Sequence, residues 1–190
     1  MVKYIVVVMC LLSATTALFS FFSIKNISDV KAKDVRFDGK KIILTGDVII
    51  EGRLGIIHCE KAELFLPDFS ESSNSDKNAS SATSPALSPE RILLQNSVTF
   101  ELTDGSRLTS DEADINCIDL EGVFSAKPPH KVVYVAYVEE EGVRVPVKTT
   151  STIMRVKMKK DEKSSAYVLS DVQGEGAVTI EYQPKGSLGL

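Results

Sequence analysis

The chain has 190 residues, of which 43% are hydrophobic, with 22 Lys and Arg set against 26 Asp and Glu. That is enough apolar material for the core of one domain and too much for a disordered tail. The net charge of −4 supplies no basic face to displace counterions from phosphates, which argues against nucleic acid as a partner.

At the amino terminus Lys3 precedes an almost uncharged apolar run over residues 4–22. The run is long enough for the core of a signal peptide or for a short membrane anchor, and both readings mean export. Residues 1–23 are therefore one unit, an apolar helix, and residues 24–190 are the other. Thr15-Thr16-Ala17 offers a small residue for cleavage, whereas Cys10 lacks the Leu-x-small-Cys setting of a lipidation site.

Residues 29–38 form a charged lead-in with a strand at 35–37, closed by the turn Asp38-Gly39. A strand over 41–51, interrupted at Thr45-Gly46-Asp47, turns at 52–55 into a second strand that runs from Ile56 toward Leu66, where Pro67 stops it. From 69 to 90 the composition falls to Ser, Asn, Ala and Pro, the mark of a mobile loop inside the domain. The pattern then resumes: Arg91-Ile92-Leu93-Leu94-Gln95-Asn96 mirrors Lys41-Ile42-Ile43-Leu44-Thr45-Gly46, and Ala113-Asp114-Ile115 matches Ala62-Glu63-Leu64. Pro128 and Pro129 break the chain before strands at 131–138, 143–147 and 151–158. Apolar spacing is two throughout, which predicts an all-β fold.

Three segments share one motif: Gly46-Asp47-Val48-Ile49-Ile50-Glu51, Asn96-Ser97-Val98-Thr99-Phe100-Glu101 and Gly176-Ala177-Val178-Thr179-Ile180-Glu181. Because side chains alternate faces along a strand, matching parity should place Val48 and Ile50, Val98 and Phe100, and Val178 and Ile180 on one apolar face. Such a face either packs against an opposing sheet or stays open as a groove, and periodicity does not separate the two.

Catalytic constellations are sparse, and no enzyme is expected. His58-Cys59-Glu60 has the composition of a metal site, but neighbouring strand residues point to opposite faces, so no metal is assigned. His130 reads as exposed loop. Asp111-Glu112 and Glu139-Glu140-Glu141 read as solvated charge at turns, and Gly174-Glu175-Gly176 lacks the third glycine and following helix of a phosphate cradle. No cofactor is implied. The basic cluster at 155–160 reads as a solvated strand end that could also meet an anionic headgroup. Export makes a bridge between Cys59 and Cys117 chemically allowed, but spacing does not establish one, and Cys117 also reads as a small buried hydrophobe.

The segment from Phe37 to Glu51, with Thr45-Gly46-Asp47-Val48 at its centre, followed by Ile56-Ile57-His58-Cys59-Glu60-Lys61-Ala62-Glu63-Leu64, resembles the OstA amino-terminal domain of the LptA family. Lys131-Val132-Val133-Tyr134, Ser151-Thr152-Ile153-Met154 and Val168-Leu169-Ser170 resemble that family's second half. The resemblance implies a twisted, incompletely closed antiparallel β jelly roll in the periplasm of a bacterium with two membranes. It implies carriage of lipopolysaccharide toward the outer membrane, with the acyl chains of lipid A along Leu44, Val48, Ile50, Leu94, Val98, Phe100, Val178 and Ile180. Open sheet edges would stack on sister jelly rolls, or head to tail on further copies of the chain. An uncleaved leader would favour the LptC-like branch, anchored in the inner membrane. A structural β-repeat module that assembles without lipid is the alternative from a different class.

Overall fold

The computed structural model describes residues 27–52, 54–67, 89–160 and 167–182. The expected leader helix at 1–23 lies outside these residues, as does the Ser-rich stretch apart from residues 89 and 90.

Among the described residues, alternating apolar and polar side chains produce twelve strands: β1 (Ile27–Lys31), β2 (Asp34–Asp38), β3 (Lys41–Gly52), β4 (Gly55–Phe65), β5 (Arg91–Leu102), β6 (Arg107–Asn116), β7 (Glu121–Ser125), β8 (Val132–Glu140), β9 (Val143–Ser151), β10 (Ile153–Lys160), β11 (Tyr167–Glu175) and β12 (Thr179–Tyr182). All belong to one antiparallel sheet that does not close into a barrel. The all-β expectation holds, and no helix occurs among the described residues. The sequence reading missed β1, β7 and most of β11.

Register shows that the sheet is folded along one line. Strands β1 and β2 both pair with β3, one beyond Val48 and the other before Gly46. Strands β7 and β8 likewise share β6, with β7 along residues 112–116 and β8 along 107–109. Beyond them β10 pairs with β7 and β9 with β8, and β11 and β12 continue those two tracks. Two arms result. The first holds β1, the later half of β3, the early half of β4, the later half of β5, the early half of β6, then β8, β9 and β12. The second holds β2, the complementary halves of β3 to β6, then β7, β10 and β11.

The bend has a local cause. Gly46 and Asp47 have φ of 77° and 47°, and Asn96 and Ser97 have φ of 63° and 53°. Each pair occupies the left-handed region, which Gly, Asn and Asp enter at low cost. Each pair also faces a single residue across the ladder, Glu60 and Asp111 respectively, making a two-against-one bulge that bends the strand. Thr45-Gly46-Asp47 therefore does not interrupt its strand. It bends a continuous one.

Side chains bridge the same bend on the partner strands. Cys59 Sγ donates to the Lys61 carbonyl at 3.3 Å, Ser110 Oγ to Glu112 at 2.9 Å and Ser151 Oγ to Ile153 at 2.8 Å. All three donors are buried, and each reaches two residues ahead, across the kink. The two arms then face one another over an apolar core, in which Phe100 of the first arm stacks on Phe124 of the second with ring centres 6.4 Å apart.

Candidate functional site

The inner face of the folded sheet carries the apolar residues singled out by the repeat. One cross-strand row on the first arm runs Val30, Ile50, Ile57, Phe100, Leu108, Tyr134, Thr149, Ile180. The adjacent row carries Val48, Cys59, Val98, Ser110, Val132 and Ser151, and Val178 lies at its end beside Ser151 and Gly174. The three copies of the motif thus share one face, in equivalent positions. On the second arm Val35, Leu44, Ala62, Leu94, Ala113, Phe124 and Met154 form the corresponding row.

Burial divides these residues. Leu44, Val48, Ile50, Leu94, Val98 and Phe100 are each only 1–2% exposed, packed between the arms. Ile180 is 66% exposed and Val178 45%. The same face is therefore sealed at the centre and open at its end, on a ledge where Ile180, Tyr182 and Val138 stand exposed around half-buried Val147. At the other end of the sheet the second arm protrudes instead. Val35 and Phe37 share the inner face with core residues Leu44 and Ile42, yet Phe37 is 62% exposed.

Between the arm tips lies a cavity of about 50 Å³, a third of the roughly 150 Å³ that accommodates benzene in an engineered apolar cavity. It is lined by Ile27, Leu54 and Ile57 from one arm and by Cys117, Leu120 and Met158 from the other, among similar apolar residues. Cys117 was legible as a small hydrophobe, and it lies at this mouth, half-buried. Cys59 and Cys117 are both free thiols. Burial pushes each thiol up to about 11, which keeps them protonated and unreactive at neutral pH.

The outer face is laced with ion pairs that repeat with the strands. Lys41 meets Glu63 at 2.8 Å and Arg91 meets Asp114 at 2.6 Å, in equivalent positions of the first two copies. The Glu that closes each motif also has a cross-strand partner: Glu51 with Lys31, Glu101 with Arg107 and Glu181 with Lys148.

One polar cluster departs from the sequence reading. Asp111 does not lie at a turn but at the bend inside β6, directly opposite the Asn96-Ser97 bulge of β5. It accepts from the Lys127 amide at 2.7 Å and bonds His130 Nδ1 at 2.9 Å, and these contacts hold its carboxyl below the usual range. Lys127 Nζ also reaches Glu112 at 2.6 Å. The cluster pins the 126–131 connection to the bend. His58 and Cys59 point to opposite faces, with Cys59 buried and His58 half-buried. No protein-family model matches this chain, and no curated protein matches it.

Proposed function

We propose that the protein is a non-enzymatic, exported lipid carrier whose folded sheet, read as an open β jelly roll of the LptA/OstA type, holds lipopolysaccharide acyl chains against its inner face. One observation carries this reading. Two largely apolar rows, interrupted by Thr149 in one and by Ser110 and Ser151 in the other, run the width of the first arm, packed in the middle and exposed at Val178 and Ile180. An acyl chain laid on that ledge gains about 0.8 kcal/mol per methylene buried, so a few methylenes suffice without any reactive group.

The two exposed ends also suggest how carriers join. The ledge at one edge belongs to the first arm and the overhang at Val35 and Phe37 to the second, so a second copy, or a sister jelly roll, can lay its overhang over the ledge. Among the described residues β2 pairs only with β3 and β11 only with β10, and the outer edge of each would extend the sheet by strand addition. The LptC-like alternative draws on the apolar run at 4–22, which would tether the carrier to the inner membrane.

A photoreactive amino acid placed at Ile180 tests the reading. Delipidated protein exposed to lipopolysaccharide should give a lipid adduct at Ile180 and none at Thr99, which points out of the sheet. Absence of adduct at Ile180 in folded protein would favour the β-repeat assembly module that binds no lipid.

A further inference from the structure

We infer that the outer end of the ledge is a head-group subsite, in which Glu140 and Tyr182 accept the neutral, hydroxyl-bearing head of a sugar-headed lipid and turn away an anionic one. This deepens the carrier reading above and rests on it.

Strand parity puts a single charge on the ledge. Tyr134 lies in the inner row, so Val138 and Glu140 share its face, as do their cross-strand partners Val145 and Val143. No other charged residue of β8, β9 or β12 has this parity: Glu139, Arg144, Lys148 and Glu181 all belong to the outer face. An otherwise apolar ledge therefore ends in one carboxylate.

That carboxylate is positioned and half open. Glu140 is half-buried, and its Oε1 accepts from the Tyr182 hydroxyl in a bond that spans β9, on which Val145 is buried. The contact raises the Tyr182 hydroxyl above its usual range, so it stays a donor at neutral pH. Glu140 Oε2 has no hydrogen-bond partner among the described residues. One open acceptor beside an exposed aromatic ring and an apolar strip matches an alkyl chain that ends in a hydroxyl. An ammonium would bring three donors to that single acceptor.

Charge at this end has the sign to refuse phosphate. The β8–β9 hairpin sets Glu139, Glu140 and Glu141 against Arg144 alone, and Arg144 is engaged elsewhere, donating to the Asp104 carbonyl at 2.6 Å and lying over the Tyr137 ring. Lys148 is paired with Glu181 at 3.1 Å. Like charges repel more strongly beside a partly dry face than in free solvent. A phosphate is therefore directed away from the hairpin while its chain lies on the ledge.

Three amphiphiles that share a ten-carbon chain isolate the head: decyl glucoside, decyl phosphate and decylammonium, each titrated calorimetrically into the full-length protein below its micellar concentration. The glucoside should bind about ten-fold more tightly than the phosphate and more tightly than the ammonium. Glu140→Gln should bring glucoside and phosphate within about two-fold of each other, whereas Glu139→Gln, the same change of charge on the outer face, should leave most of the preference. Ile180→Ser should weaken both alike, which places them on the ledge. Phosphate binding as tightly as glucoside, a preference that survives Glu140→Gln, or no binding of the glucoside overturns the inference. Decylammonium binding more tightly than the glucoside also overturns it, in favour of a cationic head. Lipopolysaccharide adducts at Ile180 without the glucoside preference would sink the subsite and leave the carrier reading standing. The preference without adducts would keep the subsite and remove lipopolysaccharide as its ligand.

Discussion

At Gly55 one methyl group decides whether two strands can meet. Its φ is 135°, and a Cβ there would lie 1.9 Å from the Glu101 carbonyl oxygen, a backbone atom that cannot swing aside. Gly55→Ala should therefore cost at least about 2 kcal/mol, from strain together with the forced separation of β4 from β5, read as a lower urea midpoint. Glu63 offers a gentler test. Lys41 and Lys61 both bond its carboxylate and hold its carboxyl below the usual range. A carboxyl lowered in the folded state adds stability that is complete above its unfolded value, about 4.3, and is lost as pH falls through the folded one. Glu63→Gln should cost about 1 kcal/mol at neutral pH, with the difference from the parent narrowing below about pH 4. Thermal melts across that range check the sign as well as the size.

Among elements, the bend is held by backbone conformation and by three side chains that repeat one bond. Ser151 is fully buried, and its Oγ satisfies the Ile153 carbonyl. Ser151→Ala should cost about 1 kcal/mol, whereas Cys59→Ser keeps a donor in place and should cost less than Cys59→Ala. Denaturant titration of the three variants ranks them. This layer was only half legible in the sequence. Strict alternation at Leu44, Val48 and Ile50, and again at Leu94, Val98 and Phe100, located the strands and their inward parity, because parity is a property of one strand alone. The bend was not legible, since Gly46-Asp47 resembles any turn until Glu60 is seen to face both residues. Strand β1 escaped notice because an edge strand such as Ile27-Ser28-Asp29-Val30-Lys31 is paired on one side only and need not alternate cleanly. Asp111 was read as turn charge because its role depends on His130 and Lys127, which reach it only after the chain has crossed β7.

For the whole molecule, what the sequence could not disclose was coverage. Val178 and Val98 have the same motif, parity and face, yet one is exposed and the other sealed, because the second arm covers the middle of the first and stops short of its end. Coverage is a relation between arms, with no counterpart in local pattern. It leaves two uncovered inner surfaces at opposite edges, and the proposed stacking of copies makes them a matched pair. Burying a Phe side chain contributes up to about 3 kcal/mol, and Phe37, already partly covered, should contribute roughly 2 kcal/mol to such a contact. Phe37→Ser should then weaken self-association by about 30-fold while leaving the fold intact, since the side chain is mostly outside the core. Ile180→Ser should act in the same direction from the opposite edge. Combining the two should weaken association little beyond the stronger single variant if these side chains meet each other, and additively if each meets a different neighbour. Sedimentation velocity over a concentration series distinguishes these outcomes. A parent protein that remains monomeric at the highest concentration would remove the head-to-tail arrangement and leave the ledge to lipid or to a sister protein.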